Sequence, residues 1–220
     1  MPRILFEKKG NAVWISHLDL MRLFQRAFKR AGLPLTHTQG FNPRPSVSIA
    51  LPLSVGVESC CELLDFELDG EKIANRIVRG KLNDYLVPGI RVLKVYDSGE
   101  KIRQLALLDS VVTLEYDHGV PEGAVAALES FFRREEIPVE KKTKTNGIQE
   151  QNIAPMIRSL QVEQPDTNTV LLRARVCCQN PTLNPMQLHG AIVRHLPELT
   201  PDFAKCARVE LYDHEGNIFR

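Results

Sequence analysis

The sequence predicts an α+β fold with antiparallel sheets, and three observations predict it. Apolar residues switch between a period of two and a period of 3.6 along the chain. The switches come in the order strand, helix, strand, strand, helix, strand, and that order occurs twice. Clusters of Gly, Pro, Asn and Asp separate the segments.

The elements follow in chain order. Ile4–Phe6 and Ala12–Ile15 flank a Lys-Lys-Gly-Asn turn and predict a strand interrupted by a tight turn or bulge. Ser16, with Asp19 three residues on, resembles a capping box. Leu20, Phe24, Ala27, Phe28 and Ala31 then recur at helical spacing, Gly32 suits the position just past a helix end, and Pro34 forbids continuation. A helix over 17–31 follows. Residues 33–46 form a loop rich in Pro, Gly and Asn. Val47–Leu53 and Cys61–Leu68 predict strands, Ile73–Leu86 a helix and Ile90–Tyr96 a strand. Residues 97–109 connect to a second set: strand Val111–Tyr116, helix Pro121–Arg134, a basic extended segment Ile137–Thr145, strand Val170–Cys178, helix Pro185–His195 and strand Cys206–Tyr212. The order β-α-β-β-α-β is that of the ferredoxin-like unit. The prediction is therefore two tandem ferredoxin-like modules, 1–98 and 108–220.

Composition narrows the function classes. The chain has 220 residues, 43% of them apolar and 25% charged, which excludes a disordered chain, a collagen and a long coiled coil. No apolar run reaches about 18 residues, so no membrane helix is expected. The opening Met-Pro-Arg-Ile-Leu-Phe-Glu-Lys-Lys lacks the apolar stretch of a signal peptide, and a cytoplasmic location is expected. Lys plus Arg number 28 and Asp plus Glu 27, but the charge is uneven. Residues 1–50 hold eight basic side chains against two acidic ones, while residues 51–150 carry an acidic excess. A basic segment in a near-neutral chain points to a polyanionic partner.

Three segments carry that expectation. Arg22, Arg26, Lys29 and Arg30 share one face of the first helix and supply the row of permanent donors that a phosphate backbone needs. A solvated face and an acidic protein partner are the competing explanations. The loop Thr38-Gln39-Gly40-Phe41-Asn42-Pro43-Arg44-Pro45-Ser46 sets an aromatic between polar donors on a proline-stiffened turn. Phe41 either stacks on a base or plugs the sheet edge; Gln39, Asn42 and Arg44 suit base edges or phosphate. Lys141, Lys142 and Lys144 either extend the phosphate track or protect a hairpin edge.

Catalytic signals are sparse. The six histidines show no HxxxH or HxH spacing, the five cysteines form no CxxC, and phosphate-binding loops and nucleophile elbows are absent. No cofactor and no metal site is expected. His17 opens the basic helix and is the one candidate general base for RNA cleavage. Asp65, Glu67 and Asp69 alternate along one strand and read as an exposed polar face. The cysteines read as buried thiols.

A family resemblance adds to this. Trp14-Ile15-Ser16-His17-Leu18-Asp19-Leu20-Met21-Arg22, Arg30-Ala31-Gly32-Leu33-Pro34, Gln39-Gly40-Phe41-Asn42-Pro43-Arg44-Pro45 and Ala50-Leu51-Pro52-Leu53-Ser54-Val55-Gly56-Val57-Glu58-Ser59 resemble the bacterial radical-SAM-linked protein family. Lys141-Lys142-Thr143-Lys144 and the Asn184-Pro185 helix start have counterparts there too. The resemblance implies a domain of unknown function encoded beside a radical SAM protein or fused to it, often near genes of ribonuclease G and ribosomal proteins. The chain lacks the CxxxCxxC motif of the radical SAM catalyst itself. A fainter likeness, in element order, is to tandem ferredoxin-like RNA-binding proteins of CRISPR systems, whose Gly-rich C-terminal loop is replaced here by the turn Asp213-His214-Glu215-Gly216-Asn217.

The expected function is a non-catalytic, RNA-binding accessory that presents tRNA or rRNA to a partner radical SAM enzyme during RNA modification. The alternatives are a metal-independent endoribonuclease using His17 and a pure protein–protein adapter.

Overall fold

In the computed structural model, which describes residues 1–143 and 147–220, the first apolar alternation becomes strand β1, Pro2–Lys8. The chain divides into two units, Met1–Gln104 with Phe219–Arg220, and Leu105–Ile218. Each is α+β with an antiparallel sheet.

In the first unit β1 is followed by α1 (His17–Arg30), β2 (Val47–Ile49), β3 (Val57–Phe66), α2 (Asn75–Asn83) and β4 (Ile90–Asp97). The strand order is β4-β1-β3-β2, every pairing antiparallel. Register puts Ile4 opposite Leu64 and Phe6 opposite Glu62. On α1 the buried residues are Leu20, Phe24, Ala27 and Phe28, the stripe expected of a 3.6-residue period. Phe24 meets Phe6 edge-on with centroids 4.8 Å apart, and Phe28 meets Phe66 at 5.1 Å. Val78 and Leu82 of α2 complete this core. The Ser16 Oγ accepts from the Asp19 backbone N–H at 3.2 Å and donates to the Asp19 carboxylate at 2.7 Å, so the expected cap forms. Gly32 takes φ +64 just past the helix end, and Leu33 N–H donates to Phe28 C=O at 3.0 Å.

Several expected bounds change. Ala12–Ile15 is not a strand: Gly10–Trp14 winds into a 3-10 turn. Lys8 is buried and its Nζ donates to Val13 C=O at 3.0 Å, which closes that turn from below. Burial pushes the Lys8 ammonium below its usual pKa, partly opposed by Glu62. Gly89 holds the turn from the other side, accepting from Lys9 N–H at 2.8 Å. A Cβ there would lie 2.3 Å from Lys9 O and 2.8 Å from the Ala12 Cβ, at φ +88. Gly89→Ala is therefore expected to lower stability by about 2–3 kcal/mol, read as a fall in the urea midpoint. The strand expected over Val47–Leu53 stops at Ile49, because Leu51 turns into the left-handed region at φ +49.

Of the alternating carboxylates Glu67 and Asp69 are exposed as expected, while Asp65 is drawn into an ion pair. Asp65 pairs with Arg3 through two bonds, Nε–Oδ1 at 2.6 Å and Nη2–Oδ2 at 3.1 Å. Arg3 is 2% exposed and also donates to Ser98 Oγ and Glu100 C=O, with the Phe219 ring 5.1 Å away. Glu67 accepts from the Thr36 hydroxyl.

The second unit runs β5 (Leu105–Glu115), α3 (Ala124–Phe132), β6 (Pro138–Thr143), β7 (Gly147–Asn152), β8 (Ile157–Glu163), β9 (Thr169–Cys177), α4 (Met186–His195) and β10 (Phe203–Asp213). Its main sheet has the order β10-β5-β9-β8, again antiparallel. Leu128 and Phe131 of α3 and Leu188 and Ile192 of α4 are buried, as are Val112, Leu114, Val170 and Leu172 of the sheet. The basic extended segment does not join this sheet; β6 pairs antiparallel with β7 in a separate two-stranded sheet. The outer strand is β8, which sequence patterning missed. Only Val162 of its seven residues is buried, so the period of two is too weak to detect. Cys61, Cys177, Cys178 and Cys206 are buried and Cys60 half-buried, and none of them is in a disulfide. Burial pushes the Cys206 thiol up to about 12 and the Cys178 thiol up to about 11. Among the described residues no helix is long and apolar enough to cross a membrane.

Candidate nucleic-acid interface

Of the eight basic residues among the first fifty, two are internal and a third is paired with its neighbouring glutamate. Arg3 and Lys8 are buried, and Lys9 reaches Glu7 at 2.7 Å. The remaining five are Arg22, Arg26, Lys29, Arg30 and Arg44, and all five are exposed. Arg22 pairs with Asp19 at 3.0 Å. That carboxyl is held below its usual range by the Ser16 hydroxyl first and Arg22 second. Both partners are open to solvent, so an incoming anion can exchange with Asp19. Among the described residues, no ion pair or side-chain hydrogen bond engages Arg26, Lys29 or Arg30. The negative end of the α1 dipole favours Lys29 and Arg30 in its last turn, which offsets part of their mutual repulsion.

Helical geometry sorts the four. At 3.6 residues per turn, Arg22, Arg26 and Lys29 fall within about 60° of arc, and Arg30 lies about 40° beyond Arg26. The structure agrees. A groove of about 610 Å³ is lined on one wall by Arg22, Gln25, Arg26 and Lys29, and Arg30 is not among its lining residues. Its floor and far wall are Phe28, Gly32, Leu33, Pro34, Leu35, His37 and Pro45.

The loop after α1 builds that far wall. It is a hairpin with fixed rungs: Thr38 N–H to Arg44 C=O at 2.8 Å, Arg44 N–H to Thr38 Oγ1 at 3.0 Å, and Ser46 N–H to Thr36 C=O at 2.8 Å. Its base is tied to the end of β3 by Thr36 N–H to Glu67 C=O at 3.0 Å and Glu67 N–H to Ser46 C=O at 3.1 Å. Gln39-Gly40-Phe41-Asn42-Pro43 forms the tip, where Gly40 takes φ +136. Gln39, Phe41, Asn42 and Arg44 are all exposed and stand outside the groove lining. Phe41, at 108% exposure, does not plug the sheet. A stiffened hairpin thus carries a bare aromatic ring beyond a groove with a cationic wall.

Other sequence candidates lie elsewhere. Lys141 and Lys142 are on β6 of the second unit, and Lys144 lies outside the described residues. His17 is half-buried, does not line the groove, and its Nδ1 is shielded without a hydrogen-bond partner among the described residues. Among the described residues no group of three His, Cys, Asp or Glu side chains is placed to hold a metal ion. Sequence reasoning missed Gln25, Leu35, His37 and Pro45 as groove residues. The signal was position: Pro45 lies within the loop over 38–46 and His37 adjoins it.

Comparison with known proteins adds a family and a fold. Residues 2–185 match the model of a family described as "Uncharacterized protein conserved in bacteria (DUF2344)". No curated protein matches. Among solved structures, a chain of the crystal structure of a Cbf5-Nop10-Gar1 complex is similar at 12% identity with a TM-score of 0.50, over 96% of this chain and 48% of that one. A chain of an H/ACA RNP bound to a substrate RNA containing 2'-deoxyuridine gives 12% identity and a TM-score of 0.48, over 94% and 46%. A chain of an archaeal box H/ACA sRNP Nop10-Cbf5 complex gives 13% and 0.47, over 94% and 46%. The chain therefore spans about half the length of these solved chains, and at this identity the likeness concerns the fold alone.

Proposed function

The chain belongs to the family of conserved bacterial proteins so described, and from that premise we propose that it is a non-catalytic accessory that binds RNA and presents it to a partner enzyme. One observation carries the reading: Arg22, Arg26 and Lys29 converge on one wall of a single groove, exposed and aligned along α1. Long, permanently charged donors in a row are what a phosphate chain requires. Gln39, Phe41, Asn42 and Arg44, on the hairpin that forms the other wall, orient a nucleotide beside it. Lys141, Lys142 and Lys144 serve as a second basic contact. The placement of His17 away from the groove favours binding over cleavage.

The partner in this reading is a radical SAM enzyme, which rests on the family resemblance. Trp14, Leu18 and Val55 are 69%, 66% and 53% exposed, and this apolar surface of the first unit is the one assigned to the partner. We also read each unit as a ferredoxin-like module. The shared strand order supports that, β4-β1-β3-β2 in one and β10-β5-β9-β8 in the other.

Titrating the protein against labelled tRNA between 50 and 200 mM salt tests the function. The logarithm of the binding constant is expected to fall linearly with the logarithm of salt, with a slope of about −2 to −3 for three phosphate contacts. The RNA is expected to stay intact. RNA affinity that is absent or insensitive to salt, with tight binding to the partner enzyme, replaces this reading with that of a protein–protein adapter. Cleavage abolished in His17→Ala replaces it with that of an endoribonuclease.

A further inference from the structure

We infer that the groove between α1 and the hairpin takes an unpaired RNA segment, with a base lowered toward the apolar floor and its phosphates held along α1. The inference rests on the RNA reading above and narrows it from RNA in general to a single strand.

The two walls differ in chemistry. Cations stand only on the α1 side, as Arg22, Arg26 and Lys29, while the opposite side and floor are Pro34, Leu35 and Pro45 with His37. A duplex presents its phosphates as a convex ridge and keeps its bases stacked inside. It would satisfy the cations and leave the apolar concavity wet. An unstacked nucleotide has the matching split, a charged backbone on one side and a flat apolar base on the other. The long axis agrees: Arg22 to Arg26 spans about 6 Å of helix rise and Arg26 to Lys29 about 4.5 Å, a row that follows a backbone over a short segment.

The hairpin tip supplies the second observation. Phe41 is wholly exposed at the end of a segment fixed by backbone rungs and stiffened by Pro43 and Pro45, with the Arg44 side chain free to solvent nearby. A bare ring on a rigid support suits stacking against a base that has left its own stack. Such a ring contributes nothing to duplex recognition, where no base face is available.

Fluorescence anisotropy with three probes tests this: a ten-nucleotide single-stranded RNA, the same sequence as a perfect duplex, and the same strand with its bases removed at central positions but its phosphates kept. The intact strand is expected to bind at least tenfold tighter than either of the others. Phe41→Ala, which touches no core residue, is expected to weaken the single strand about five- to fiftyfold and leave the duplex unchanged. Equal affinity for all three probes overturns the inference while the RNA reading stands. Unchanged single-strand binding by Phe41→Ala overturns the stacking role. No salt-sensitive binding of any probe overturns the inference together with the reading it rests on.

Discussion

Arg22→Glu combined with Arg26→Glu is expected to weaken RNA binding on the order of a hundredfold at moderate salt. It is also expected to flatten the salt dependence, by about 0.7 in slope for each single-strand phosphate that the variant no longer neutralises. Both side chains are exposed on one wall of the groove. The loss is therefore one of binding: substitutions at open surface positions change stability by only about 0.5 kcal/mol. Circular dichroism on the same sample checks that the fold persists. The control is the same charge change on the other helix of this unit, Arg76→Glu with Lys81→Glu, both exposed on α2. A general electrostatic attraction would suffer equally from both pairs; a groove on α1 loses affinity only with the first. Equal affinity in the Arg22/Arg26 variant and the parent protein ends the RNA reading.

Asp65→Ala is expected to cost about 3–5 kcal/mol, a large fraction of the roughly 5–15 kcal/mol that holds a domain of this kind together. The reason lies in what it leaves behind. Arg3 is 2% exposed, and without Asp65 its charge keeps, among the described residues, the Ser98 hydroxyl and the Glu100 carbonyl as acceptors. An uncompensated buried guanidinium costs far more than the pair contributes when intact. Arg3→Met with Asp65→Leu is accordingly expected to recover most of the loss, because both charges leave together. Urea unfolding followed by circular dichroism measures both. A loss under about 1 kcal/mol for Asp65→Ala would show that water reaches Arg3 and that the pair is not a structural link between β1 and β3.

The elements that sequence patterning found are those whose signals act within a turn or two. Helix α1 is the best case. Its cap, its apolar stripe and its terminal glycine are all local, and all three appear where expected. Strand β8 is the opposite case. It sits at the edge of its sheet with one buried residue, so burial printed almost no alternation on it. Lys8 misled in another way. A Lys-Lys-Gly-Asn stretch looks like an open turn, yet the chain folds over Lys8 and uses its ammonium to hold the Val13 carbonyl. The candidate site was partly legible. The cationic stripe and the aromatic loop were both visible, whereas their meeting at one groove was not, and neither was the exclusion of Arg30 from it.

By itself the sequence determined the α+β class, the first helix with its cationic face, and the loop that follows. Those depend on residue spacing and on the conformational limits of Gly and Pro, which need no distant partner. Tertiary structure decided which cations are free, by burying Arg3 and Lys8 and leaving α1 open. It also decided that α1 and the hairpin enclose a groove, through hydrogen bonds that tie Thr36 and Ser46 to Glu67, far along the chain. Burial and long-range pairing belong to the whole unit at once, and no local pattern encodes them.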